Sequence, residues 1–333
     1  MPPGDRATAC VRGGNDGAMH PAESRDLWHL IETVHAVGYF APSCREANAE
    51  LGFKGFWMGY FGTRAAPMGR VGAPVVTATF AGFDPAMVAR SIPDAWDHVA
   101  PDDAVQGRAT SAAGALREAM PDCEDLAESL LGVLDKAIEV CEAAGRPLFA
   151  ANRDVTPFED PVEDLWQMCT TLREHRGDGH VAVLTAEGVG GCESHLLALA
   201  SRGEDSGPLR SARGWSDRDW VDALTTLRVA GVIAPGGADG SDAAPPSALG
   251  EQPAADVDVD VESLLEGLQL TERGATLHAH LEERTDDLAS APYAAIGEGG
   301  REHLRDGLIP IASAVVEQGW IPFPNPIGLP QVV

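Results

Sequence analysis

The sequence predicts a mainly α-helical fold of two related helical units, the second carrying a small β wing. Three observations lead there. Apolar residues recur at helical spacing through most of the chain. Glycines and prolines punctuate that pattern where helices should start and stop. A set of residues from the first half also returns in the second, in the same order, about 138 residues on. Pro21, Leu27 and Trp28 correspond to Pro161, Leu165 and Trp166; Ala49 and Glu50 to Ala186 and Glu187; Gly52 and Gly55 to Gly188 and Gly191. A length of 333 residues suits two domains, placed at 21–150 and 151–333 behind a leader at 1–20.

The leader holds Pro2, Pro3, Gly4, Gly13, Gly14 and Gly17, lacks the apolar stretch of a signal peptide and is expected to be disordered. The first helix covers 23–38, with Leu27, Leu30, Ile31 and Val34 on one face and Gly38 as its C-cap. Further helices are expected at 43–51 and 54–65. Residues 74–80, with Val75, Val76, Thr77 and Thr79, fit a strand or a helix. Asp84 and Pro85 supply an N-cap and a first-turn proline for a helix ending before Pro93. Two more helices cover 102–118 and 123–144, the second ended by Gly145, and a polar, extended link follows over 146–161.

In the second unit a helix at 162–176, a turn at Gly177, a short helix at 179–187, a glycine turn through Gly188, Gly190 and Gly191, and a helix at 192–201 give a helix-turn-helix outline. Ser216, with Asp219 three residues on, caps a helix running through Leu224 and Leu227 to Gly231. Val232 and Ile233 begin the expected wing. Residues 235–259 are Gly, Ala, Pro and Asp with little to bury, so an acidic, disordered insert is expected there. Thr271 caps a helix to about 288, a last helix spans 298–319, and a proline-rich arm over 322–330 packs back on the body.

Formal net charge is −27, from 51 acidic against 24 basic residues, a field that repels nucleic-acid backbones and anionic lipid. Six scattered cysteines without a CxxC pair suit buried thiols in a reducing, cytoplasmic setting. No membrane span is legible. Nor is a Gly-x-Ser-x-Gly elbow, P-loop, His-Glu-x-x-His or dinucleotide fingerprint present, which leaves ordinary hydrolase, nucleotide-dependent and zincin chemistries without support.

Residues 219–285 resemble the second half of a MarR-type winged helix. The resemblance lies in Leu227-Arg228-Val229-Ala230-Gly231-Val232-Ile233 and, after the wing, in Leu270-Thr271-Glu272-Arg273-Gly274. From Leu27 onward the chain also resembles an actinobacterial family known only as helix-turn-helix. That likeness is carried by His35-Ala36-Val37-Gly38-Tyr39-Phe40, Gly59-Tyr60-Phe61 with Arg64-Ala65-Ala66-Pro67, Pro93-Asp94-Ala95-Trp96, Arg173-Glu174-His175-Arg176-Gly177-Asp178-Gly179-His180 and Asn325-Pro326-Ile327-Gly328. The resemblance implies winged-helix-like units, a homodimer as in many MarR-type proteins, and a DNA-binding transcriptional regulator as one functional reading; fold alone implies little chemistry. Against DNA, the candidate reading helix carries Asp217, Asp219 and Asp222 beside Arg218 and Arg228, and the insert replacing the wing has no basic residue.

The densest polar cluster, Arg173 to His180, reads either as a helix end or as one wall of a pocket for an anionic small molecule. Glu32 and His35 stand one helical turn apart, the Glu-x-x-His spacing that ligates iron in four-helix carboxylate proteins; without a second pair, a core histidine explains it as well. Haem or non-haem iron at His35 or His180 stays open on the same grounds. Tyr39, Phe40, Phe53, Phe56, Trp57, Tyr60 and Phe61 make an aromatic group beside Arg64. The expected function is therefore small-molecule binding, with catalysis left open, in a pocket between the two units lined by His35, Tyr39, Arg64, His175, Arg176 and His180.

Overall fold

In the computed structural model, residues 21–234 and 260–331 are described. The expected leader and the expected acidic insert lie outside them. The described residues form seventeen α-helices. In order these are α1 (Pro21–Phe40), α2 (Pro42–Leu51), α3 (Gly55–Ala65), α4 (Ala73–Thr79), α5 (Pro85–Ala89), α6 (Ala95–His98), α7 (Pro101–Ala119), α8 (Glu124–Glu139) and α9 (Pro147–Arg153). There follow α10 (Pro161–Ala186), α11 (Gly191–Arg202), α12 (Gly207–Arg213), α13 (Asp217–Val229), α14 (Val261–Leu265), α15 (Glu272–Ala289), α16 (Ala291–Ala295) and α17 (Gly297–Glu317).

Local chemistry explains most starts. Asp84 accepts from the Ala86 and Met87 amides, Thr271 from Gly274, and Ser216 and Asp219 close a reciprocal capping box. Residues 74–80 are settled as helix, and the expected link over 146–161 contains α9.

Three expectations are corrected. Gly38 does not cap α1, which runs on to Phe40; a Cβ there would stand 3.0 Å from the Trp166 ring, so glycine lets α1 and α10 approach. Gly177 makes no turn. α10 continues through it for 26 residues, and burial against several neighbours outweighs the roughly 1 kcal/mol that one interior glycine costs a helix. Of the outline expected over 162–201, the turn at Gly177 is therefore lost, while the glycine turn through Gly188, Gly190 and Gly191 does separate α10 from α11. The small β wing is overturned as well: among the described residues there is no strand, only an isolated antiparallel bridge between Ile233 and Leu270. The backbone leaving α13 is tied back onto that helix, Gly231 N–H to the Arg228 carbonyl and Val232 N–H to that of Leu227, and among the described residues only the Ala234 and Thr271 amides bond across, to Gln269 and Val232.

A second succession of helix, short turn and helix follows. α12 ends at Arg213, Gly214 takes φ +77°, Trp215 and Ser216 follow, and α13 begins at Asp217. α11 packs on α13, and Trp220, Leu224, Leu196 and Leu197 join a hydrophobic core shared with α14 and α15.

A second core is aromatic, gathering Phe53, Phe61, Phe80, Phe83 and Trp96 beneath α3 to α7. The third and largest surrounds α10 with α1, α7, α8 and α17, so it draws on both sides of residue 150. Cys44, Cys123, Cys141, Cys169 and Cys192 are buried free thiols. No described helix is long and apolar enough to cross a membrane.

Candidate functional site

α1 places Glu32, His35 and Tyr39 toward α10, because steps of three and four residues stay on one helical face. α10 answers with Trp166, Thr170, Arg173 and Glu174, α3 contributes Tyr60 and Arg64 one turn apart, and α7 contributes Arg108. Their side chains meet around a small cavity of about 20 Å³, lined among others by His35, Tyr39, Arg64, Arg108, Thr170 and Glu174. That is room for a water-sized occupant.

Charge organises the site. Arg64 grips the Glu174 carboxylate in a fork, Nη2 lying 2.8 and 3.1 Å from its oxygens, and Arg173 Nη1 donates to the same carboxylate at 2.8 Å. Arg173 Nε also donates to Glu32 at 3.0 Å. Burial alone would raise the Glu174 pKa, but the Arg173 and Arg64 guanidinium groups hold it down at about 2. Arg108 is buried without a carboxylate partner among the described residues. It donates to the Thr63 carbonyl, Asn152 Oδ1 and Gln167 Oε1 at 3.0, 2.8 and 2.7 Å, and burial lowers its pKa to about 10. The Nε atoms of Arg64 and Arg108 are both buried with no hydrogen-bond partner among the described residues.

His35 is held on both nitrogens, with Thr170 Oγ1 2.8 Å from Nδ1 and the Tyr39 hydroxyl 2.6 Å from Nε2. Burial drives its pKa well below the usual histidine value, so the ring is neutral. Thr170 spends its own proton on the Trp166 carbonyl at 2.9 Å, and must therefore accept from Nδ1–H. By elimination, Nε2 accepts from Tyr39, whose ionisation burial opposes.

The iron readings do not fit this geometry. Neither His35 nitrogen is free, Glu32 is turned to Arg173, and no group of three or more His, Cys, Asp or Glu among the described residues could hold a metal ion. A water-sized cavity also cannot house a haem macrocycle. His180, the other ligand considered, is held through Nδ1 by Thr285 Oγ1 at 3.0 Å.

Of the expected site residues, His35, Tyr39 and Arg64 come together. His175, Arg176 and His180 do not join them, since each step along an α-helix turns the side chain by roughly 100°. His175 packs edge-on against Phe149, 4.9 Å between ring centres. Arg176 lies over the Trp28 ring at 4.6 Å and pairs with Asp286 at 2.7 Å, so with His180 it fastens α10 to α15. Sequence reasoning placed Arg173 and Glu174 in a polar cluster without singling them out, and did not name Arg108. The helical period from Trp166 through Thr170 could have found the first two; Arg108 carried no signal.

The fold and site thus define a helical protein that pairs a helix-turn-helix with a separate, buried, arginine-rich cavity. Residues 24–322 match a family described as the helix-turn-helix family, and the chain belongs to it. No curated protein and no solved structure matches the chain.

Proposed function

We propose that this protein binds a small anion in the cavity between α1, α3, α7 and α10. The observation that carries the reading is the charge balance: Arg64, Arg108 and Arg173 face Glu32 and Glu174, three positive against two negative, with unpartnered Nε atoms on two arginines that line the space. An uncompensated buried charge is costly, and one monovalent anion would cancel it. The cavity as it stands holds a water-sized body, so formate, nitrate or bicarbonate would enter only with a small outward shift of its walls. Buried free thiols support a cytoplasmic setting.

Thermal unfolding with sodium formate or nitrate, against sodium gluconate at equal ionic strength, tests this. A saturable rise in Tm with the small anions, lost in Arg108→Met, is expected. Equal Tm in all three salts would remove the proposal.

The second reading, a MarR-like DNA-binding regulator, is favoured by the α12–Gly214–α13 geometry and by family membership. The exposed face of α13 opposes it, because it presents Asp217 and Asp222 and ties Arg218 to Asp222 at 3.5 Å. Binding to the DNA upstream of its own coding sequence, measured at low and moderate salt, discriminates: a steep salt slope supports the regulator.

A further inference from the structure

We infer that an anion in the cavity resets the helix-turn-helix through the loop at 80–84, an inference that rests on the anion reading above. This loop touches both places. At its start, the Phe80 ring lies 4.2 Å from the Arg64 guanidinium. At its centre, the Gly82 carbonyl accepts from His195 Nε2 on α11 at 2.7 Å and from Trp215 Nε1, inside the helix-turn-helix turn, at 3.0 Å. Phe83 lies 4.4 Å from the guanidinium of Arg213, the last residue of α12, and the Asp84 amide donates to the Arg213 carbonyl at 3.0 Å.

A second link runs alongside. Arg64 Nη1 donates to the Tyr60 hydroxyl at 2.9 Å, and the Tyr60 and Phe83 rings are 5.5 Å apart. The contact leaves no slack. A Cβ on Gly191 would overlap the Ala81 carbonyl, and one on Gly214 would crowd the Met87 side chain.

Arg64 is common to both links. It is shared between Glu174, Tyr60 and Phe80, and an anion accepting from its free Nε draws the guanidinium plane toward the cavity. Phe80 and Phe83 are almost fully buried, so the loop must follow Arg64 or lose packing. Its far side is bonded to α11, to the end of α12 and to the turn, so the displacement reaches the element that sets α13. Packed elements of this kind move between discrete arrangements, which is how small shifts at one site become changes at another.

Hydrogen exchange on the full chain, in sodium nitrate and in matched sodium gluconate, reads this directly. Nitrate is expected to change exchange in peptides covering 80–84 and 207–217 by about fivefold or more, within the usual range of inter-site coupling. In Trp215→Phe, nitrate affinity should stay within about twofold, while the response over 207–217 falls by about half or more. Nitrate binding with an unchanged 207–217 segment in the parent protein overturns the link and leaves the anion reading standing. A full response in Trp215→Phe overturns the route through the loop. Absence of nitrate and formate binding overturns both proposals together.

Discussion

α10 carries a buried arginine–carboxylate cluster on each of two sides, and the two are built differently. On the α1–α3 side, Arg64 and Arg173 share Glu174, Glu32 adds one carboxylate, and Arg108 stands without one beside a cavity. On the α15 side, Arg176 and Arg25 share Asp286 at 2.7 and 2.5 Å, with Glu282 at 3.8 and 3.7 Å, two positive against two negative. Arg25 and Glu282 are also about one-third exposed, at 37% and 32%, so water relieves any imbalance there. Burial of charge is common to both sides; surplus of charge beside empty space belongs to one. The α15 arrangement is a fastening, whereas the α1–α3 arrangement leaves one guanidinium beside a cavity with no carboxylate partner among the described residues.

Removal of the shared carboxylates should separate the two sides most clearly. Glu174→Gln leaves two largely buried guanidinium groups facing each other, and urea unfolding should show a loss of about 3–5 kcal/mol. Asp286→Asn should cost less, about 2 kcal/mol, because Arg25 can turn to solvent. Equal losses would erase the distinction.

Next in size is the response to pH. Glu174, held at about 2, contributes stability that is present above pH 4.5 and lost as pH falls through its folded value. Buried His195, lowered to about 3 by burial and by Arg213, contributes stability present above pH 6.5 and lost as pH falls toward 3. In that window one such histidine costs about 1.4 kcal/mol per pH unit. Replacing His195 by Asn should therefore flatten the stability profile between pH 6.5 and 4 by one proton's worth of slope, and an unchanged slope would mean that the imidazole is protonated in the fold.

Smaller effects sharpen the contrast. Arg108→Met discards a surplus charge along with three hydrogen bonds, so stability should change by no more than about 1 kcal/mol even though the residue is buried. A loss as large as that of Glu174→Gln would mean that Arg108 is compensated after all. Trp28→Phe weakens only the ring face under Arg176, and about 0.5 kcal/mol is expected by urea unfolding.

Much of the helical layout was legible because caps are local chemistry: Asp84 with Pro85, Ser216 with Asp219, and Thr271 announce their helices within four residues. The failures were tertiary. Gly177 looks like a stop until the neighbours of α10 are known, and the wing needs strand length that the bridge at Ile233 and Leu270 does not have. The site shows the same division. His35, Tyr39 and Arg64 could be chosen from type and helical spacing, whereas the wall opposite them was named one residue too far along, at His175 in place of Glu174. Which side of a helix enclosed on several faces looks into a cavity depends on the exact rotation of its turns, and Arg108 joins the cluster only through the way α7 crosses α10.

The missing methyl group at position 38 has a practical meaning. With a Cβ there only 3.0 Å from Trp166, the width of the gap between two walls of the chamber is set by a hydrogen atom. Alanine at that point acts as a shim, prising α1 from the indole by a few tenths of an ångström, and so offers a single-residue dial for the volume of the chamber.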